Sequence, residues 1–280
     1  MRGNATSRKR LLRAAFGASL ALLTLLFALP LYWLVASSFM SSAEITASAR
    51  PLFPRSFKWD NYAFVFVFLK YWRTFFNSVF TSSATTVLIL VTASMAGYAF
   101  AKKRFFGSKV LLGLLVATMA IPSTVLLLPL FFVINKVGLF DNLWGLVLPF
   151  ATTVFGIYFM RQYVSDIPDA LLEAARIDGA GEASTFLRIA LPLQQPALVS
   201  LAVIEFVNNW NSFTMPLVLL KTPERYTLPL MLGLLSQKSV EIDWGHVMAA
   251  NGLTIAPVLI VYVLLQRNIT AGIMQGAVKG

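Results

Sequence analysis

Six stretches of the chain are apolar for long enough to cross a membrane, and polar residues gather between them. A helix needs about 20 mostly apolar residues to cover about 30 Å of hydrocarbon, where its backbone amides find partners only within the helix itself. The pattern predicts spans at about Ala14 to Ser38, Asn77 to Ala101, Lys109 to Ile134, Leu143 to Tyr163, Ala197 to Leu220 and His246 to Leu265. The expected fold class is an all-α membrane protein with six transmembrane helices, in a single domain over residues 1–280. Prolines stand inside the spans at Pro30, Pro122, Pro129, Pro149, Pro216 and Pro257. Each removes a backbone hydrogen bond, which predicts kinked helices in a packed bundle. The first span follows Arg8-Lys9-Arg10 and Arg13, as a secretory signal would. Its uncharged run from Ala14 to Val35 exceeds the roughly 7–15 residues of a signal core, and the Ala47-Ser48-Ala49 sequence lies too far downstream for cleavage, so the span is expected to be retained.

Composition strengthens the membrane assignment. Hydrophobic residues make up 58% of the chain and charged ones 12%, against roughly 45–50% and about 25% in soluble domains. The net charge of +11 does not point to nucleic acid, because the basic residues sit in short clusters between apolar runs. With the N-terminus inside, the inner segments hold 14 of the 23 Lys and Arg, which favours cytoplasmic termini. The first outer loop, with Arg50, Arg55, Lys58, Lys70 and Arg73, runs against that bias.

Little catalytic material is present. Without cysteine, and with His246 as the one histidine, the chain has nothing from which to build a disulfide framework, a thiol nucleophile or a zinc finger, and no metal or cofactor is expected. His246 lacks catalytic partners and reads as an interfacial residue. Gly107-Ser108-Lys109 has no glycine at the upstream distance a phosphate loop requires, so the chain does not bind ATP by that device.

One long polar stretch, residues 165–196, joins the fourth and fifth spans. Pro168, Asp166 and Asp169 suit a helix start, Gly179 suits a helix end, and a second helix can begin near Glu182 and should finish before Pro192. Helix, glycine corner, helix is the expected local fold. Five acids (Asp166, Asp169, Glu173, Asp178, Glu182) against two bases (Arg176, Arg188) give the loop a charge of −3 in a basic chain. Composition alone allows a solvated amphipathic connector equally well.

Spacing in this loop is more specific. Glu173-Ala174-Ala175, Asp178-Gly179-Ala180, Ile189 and Leu191-Pro192 resemble the EAA loop of permease subunits of binding-protein-dependent ABC importers. The resemblance implies a type I importer permease fold in which the loop is a coupling helix docking on a cytoplasmic ATPase. Glu173, Ala174, Ala175, Asp178 and Gly179 would carry that coupling, with Ile189 and Pro192 as structural support. Leu265-Gln266-Arg267, Ala271-Gly272 and residues 276–280, together with Asn209-Trp210-Asn211 and Pro216, are similar to the second permease of carbohydrate importers of the maltose-uptake type; Gln275 departs from that pattern. The implied partners are a sister permease forming a heterodimer, two ATPase copies, an extracytoplasmic solute-binding protein and membrane lipid. The implied setting is the prokaryotic cytoplasmic membrane with both termini inside.

The fifth span offers the candidate solute pathway in Glu205, Asn208, Asn209 and Asn211. A carboxylate within hydrocarbon costs on the order of 2.5–3.5 kcal/mol and should face protein or water. Amides and carboxylates suit a polyhydroxylated solute such as a sugar, and serve equally as ties between helices. The alternative class is an ion- or proton-coupled secondary transporter, which would place several ionisable groups within spans. A membrane enzyme has too few catalytic groups. The basic outer loop suits an anionic solute or a docked binding protein.

Overall fold

A computed structural model describes residues 3–237 and 242–277, with side chains over 12–237 and 242–263. The described chain is helical, without strands, and divides into two compact units, Met1–Leu69 with Leu235–Leu253 and Lys70–Leu234 with Thr254–Gly280.

In the first unit α1 (Gly3–Ser37) is followed by α2 (Ser42–Thr46) and α3 (Asp60–Val67). Ser41 and Glu44 form a reciprocal capping box that starts α2. Ala36, Met40 and Ile45 are buried with Trp33, Trp244 and Met248 around them. The Asn61 amide donates to the carbonyls of Ser38 and Met40, each at 2.9 Å. His246 stacks on Phe64 with ring centroids 4.0 Å apart and has the Asp243 carboxylate 3.8 Å from its Nδ1.

The second unit is built on α4 (Tyr71–Lys102). After it come α5 (Ser108–Thr118), α6 (Leu127–Lys136), α7 (Trp144–Val147) continuing into a 3-10 turn at Leu148–Phe150, and α8 (Val154–Ser165). The polar loop contains α9 (Asp169–Ile177), α10 (Glu182–Thr185), a wide π-helical turn at Phe186–Ala190 and α11 (Leu191–Leu193). Then follow α12 (Gln195–Trp210), α13 (Thr214–Leu219), a 3-10 turn at Pro223–Arg225 and α14 (Leu228–Leu235). The last helix, α15 (Trp244–Ala277), belongs to both units.

All six apolar stretches are helical, but among the described residues only three are single helices long enough to cross a membrane: Leu12–Ser37, Tyr71–Lys102 and Trp244–Val263. Trp144–Phe150 meets Val154–Ser165 at 45°, and Glu182–Leu193 meets Gln195–Trp210 at 73°. The third stretch is two short helices, α5 and α6. Proline marks two of the helix restarts. Pro129 is the third residue of α6 and Pro216 the third of α13, first-turn positions where a missing N–H costs nothing. A helix that ends and restarts avoids the clash with the carbonyl four residues back. Pro30 and Pro257, by contrast, lie inside continuous helices.

The expected stop before Pro192 does not occur, which corrects the sequence-based boundary. In the wide turn, the Leu191 N–H reaches the carbonyl of Phe186, five residues back, and helical structure carries on through Pro192. A widened turn is a common way for a helix to absorb a disrupted bonding ladder.

Small residues let α4 and α8 meet. A Cβ at Gly97 would lie 2.6 Å from the Met160 Cβ and 2.9 Å from the Arg161 nitrogen. Ala93 and Ile89 continue the seam to Gly156, and with Met160, Ala197 and Leu201 they form the core shared with α12. Above that core the buried face of α4 is polar: Thr74, Ser78, Thr81, Ser82, Thr85 and Thr86 are each 7% exposed or less. Small hydroxyl side chains at helical spacing allow close approach of neighbours; Ser78 accepts from the Leu228 N–H, and the Ser82 and Thr86 hydroxyls are buried without a protein hydrogen bond.

Candidate functional site: a coupling corner and a polar cavity

Two places gather the candidate residues. The first is the corner after α9. Its nine residues, Asp169–Ile177, begin with an acid at the positive end of the helix dipole and bury Leu172 and Ala175. Leu172 packs with Tyr98, Val164, Ile167 and Ala190, with Ile189 and Phe186 alongside. Gly179 ends the helix with φ +82°. The Ala180 N–H bonds the Ala175 carbonyl at 2.9 Å and the Gly179 N–H bonds the Arg176 carbonyl at 3.0 Å, the bond pair of a Schellman cap. Glu173, Ala174, Asp178 and Gly179 are exposed on the outer side of this corner, whereas Ala175 is buried and serves the packing. Ile177 stands out in the same exposed surface at 86% exposure.

Basic residues at the end of α4 hold this corner in place. Lys102, whose side chain is only 6% exposed, pairs with Asp169 at 2.8 Å and donates to the carbonyls of Ile167 (2.5 Å) and Ser165 (3.3 Å). Lys103 pairs with Glu182, which also meets Arg176 at 3.4 Å. The hydrogen bond from Lys102, then its charge, holds the Asp169 carboxyl below the ordinary aspartate range, and Lys103 does the same for Glu182. The loop's excess of acid, counted within 165–196 alone, is thus largely met by cations outside it. Both pairs persist at neutral pH and weaken only as pH falls through the depressed values, below the ordinary carboxylate range. Lys102→Met is therefore expected to free the start of α9 at pH 7, seen as several-fold faster hydrogen exchange over residues 165–172 with exchange elsewhere in α4 unchanged.

The second place is a cavity of about 130 Å³ lined by Thr81 and Thr85 of α4, Leu146 and Phe150, Asn208, Asn209 and Ser212 at the end of α12, Met215 and Pro216 of α13, and Thr227. Thr227 is fixed there by its neighbours. The Leu228 N–H donates to Ser78 Oγ at 2.7 Å, and Asn77 donates to the carbonyls of Glu224 (3.0 Å) and Tyr226 (2.9 Å). Asp141, in the left-handed region at φ 53°, clips the same turn by accepting from the Lys221 and Thr222 amides, the Thr222 hydroxyl and Arg225. Burial pushes the Asp141 carboxyl up, but these donors outweigh it and leave it below its ordinary value. The Thr227 hydroxyl is buried without a protein hydrogen bond.

The structure separates the four pathway candidates. Asn208 and Asn209 line the cavity. Glu205, 5% exposed, accepts a 3.0 Å bond from the Thr153 hydroxyl, which itself caps α8 through the Gly156 amide at 3.1 Å. Its carboxylate is thus a tie between α12 and α8. Asn211 is exposed just after α12 and its backbone N–H closes that helix. Sequence reasoning missed Thr81, Thr85, Ser212 and Thr227; the run of Ser and Thr at three- and four-residue spacing in the second span was the available signal for the first two. The C-terminal residues 265–280 that carry part of the resemblance lie outside the described side chains.

Residues 93–275, which include the coupling corner and all four pathway candidates, match the family described as binding-protein-dependent transport system inner membrane component. The chain belongs to this family. Among its relatives, the arabinooligosaccharides transport system permease protein of Halalkalibacterium halodurans is 35% identical over 90% of this chain and 91% of its own. The trehalose transport system permease protein of Mycobacterium tuberculosis is 33% identical over 96% and 98%. A bacterial ABC transporter involved in import of the acidic polysaccharide alginate contains a chain with TM-score 0.80 and 26% identity, over 93% of this permease and 97% of that chain. The permease is thus an inner-membrane, multi-pass transport subunit that works with partner proteins rather than an enzyme.

Proposed function

We propose that this permease is one half of the membrane channel of an ATP-driven importer for a sugar or sugar-like solute. The observation that carries this is the α9 corner, where a short helix with a glycine cap presents Glu173, Ala174, Asp178 and Gly179 outward on a base held by Lys102 and Lys103. Such a corner can be pushed as a rigid piece. Through α10, α11 and the 73° bend it is continuous with α12, whose far end carries the cavity asparagines. Movement of an ATPase at one end would therefore reach the solute at the other.

The permease is read as a single domain over 1–280, with residues 165–196 as the coupling loop and both termini on the cytoplasmic side. Its partners are read as a different sister permease, two copies of a cytoplasmic ATPase and an extracytoplasmic solute-binding protein. Relatives named for arabinooligosaccharides and trehalose, and a neighbour importing alginate, support a carbohydrate. The cavity chemistry agrees: Asn208, Asn209, Thr81, Thr85 and Thr227 offer amides and hydroxyls that can replace the water of a polyhydroxylated solute. The tie of Glu205 to Thr153 gives the pathway no free carboxylate there for a proton relay.

Copurification from mild detergent tests the assembly and should recover two ATPase copies and a distinct sister permease; uptake that survives ATPase deletion but collapses with the proton gradient would overturn the proposal. Asn208→Leu with Asn209→Leu is expected to lower uptake about tenfold or more, since each lost hydrogen bond contributes about 0.5–1.5 kcal/mol, with ATPase association unchanged. Wild-type uptake kinetics in that variant would remove these residues from the pathway.

A further inference from the structure

The segment between α2 and α3, residues 47–59, does not project freely from the end of α1. It folds back along the side of α1. The Tyr32 hydroxyl donates to the Leu52 carbonyl at 2.5 Å, and the Tyr32 and Phe53 rings meet edge to face at 5.9 Å. Tyr32 lies five residues before Ser37, the end of α1, so this contact sits about 7.5 Å down the helix from its end. Three further ties hold the loop in that posture: the Arg55 N–H to Glu44 at 3.0 Å, the Lys58 N–H to the Phe39 carbonyl at 2.9 Å, and the Phe39 ring against Phe57 and Trp59 at 5.5 and 5.0 Å. Fixed in this way, Leu52, Phe53, Phe57 and Trp59 remain 64–70% exposed.

Water is a poor environment for four large apolar side chains held side by side. Their neighbour, α1, is exposed at every position from Leu12 to Tyr32, and the loop continues that apolar surface toward the helix end. Arg50, Arg55 and Lys58 are exposed around it, and no described carboxylate lies within salt-bridge distance of any of them. Aromatic rings at the hydrocarbon boundary with cations just beyond them match the layering of a lipid leaflet, acyl chains below and phosphates above.

We propose that residues 47–59 form an interfacial anchor, with Leu52, Phe53 and Phe57 immersed among the acyl chains at the end of α1 and Arg50, Arg55 and Lys58 on phospholipid phosphates. The occupant of this surface is lipid. The anchor depends on α1 crossing the membrane and not on which solute or energy source the permease uses, so it can fail while the transport proposal stands.

The absence of native cysteine makes the test direct. A nitroxide is attached through Phe53→Cys in the full chain with its copurifying partners, reconstituted in phosphatidylcholine vesicles with and without phosphatidylglycerol; Leu22→Cys, midway along α1, provides the lipid reference. Collision with dissolved oxygen should exceed collision with a water-soluble nickel chelate, shifting the accessibility ratio toward that at Leu22→Cys. Adding Arg50→Glu and Lys58→Glu should move the ratio toward water in the vesicles that contain phosphatidylglycerol and much less in those without. A label that prefers the nickel chelate overturns the proposal. So does an immobilised label shielded from both reagents, whether from the start or only after a binding protein is added, because either places protein on this surface.

Discussion

Uptake is expected to be abolished, with the protein still in the membrane, when Glu173 and Asp178 are both changed to arginine or when Gly179 is changed to proline. The two variants reach that result by different routes. Glu173 and Asp178 are exposed and make no ion pair within the described residues, so reversing them leaves the fold of α9 alone and changes only the surface offered to a partner. Charges at an interface contribute several kcal/mol when reversed or unpaired, which corresponds to about a hundredfold or more in affinity for the ATPase. Gly179→Pro acts on the backbone. Proline fixes φ near −65° where the native value is +82°, and it deletes the N–H that bonds the Arg176 carbonyl. Gly179→Ala separates strain from shape: its Cβ meets nothing within 4 Å, so the cost is only that of a left-handed alanine, about 1–2 kcal/mol, and part of the transport should survive. Copurified ATPase and vesicle uptake measure both effects. Full uptake in the doubly reversed protein would show that this corner does not transmit the movement.

Much of this arrangement was legible in the sequence because it depends on local rules. Apolar length located the spans, and Gly179 after a short run starting at Asp169 located the corner, since few other residues tolerate the conformation that ends a helix there. What was not legible depends on pairing across the chain. The acid excess of 165–196 looked like a bare patch because its cations, Lys102 and Lys103, come from another span. The cavity draws Thr81 and Thr85 of its polar lining from α4, whose hydroxyl residues look unremarkable until they are placed opposite Asn208 and Asn209. Proline gave the right kind of signal but not its outcome. Pro216 and Pro129 restart helices, Pro30 leaves one continuous, and Pro192 rides on a wide turn, because the neighbouring carbonyls decide how each lost bond is made good.

The approach of α4 to α8 sets up the larger stability effect. Gly97→Leu is expected to prevent assembly of the second unit, and Gly97→Ala to destabilise it by about 1–3 kcal/mol, the usual cost of forcing extra volume into a packed core. A Cβ there would meet the Met160 Cβ at 2.6 Å and the Arg161 backbone nitrogen at 2.9 Å. A flexible side-chain tip could turn aside, but a backbone nitrogen and a Cβ move only with their helix. The two helices would have to part, opening the core of Ile89, Ala93, Met160, Ala197 and Leu201 and with it the seat of α12. Because α12 carries Asn208 and Asn209 at one end and continues into the coupling corner at the other, a defect at this seam should reach both places. Thermal unfolding in detergent should show a lowered midpoint for Gly97→Ala and little folded protein for Gly97→Leu. Met160→Ala in the Gly97→Ala background should not recover the loss, because the Met160 Cβ and the Arg161 nitrogen that meet the new Cβ both remain and a cavity is added to the core; recovery in the double variant would show that the Met160 side chain beyond Cβ is the obstacle.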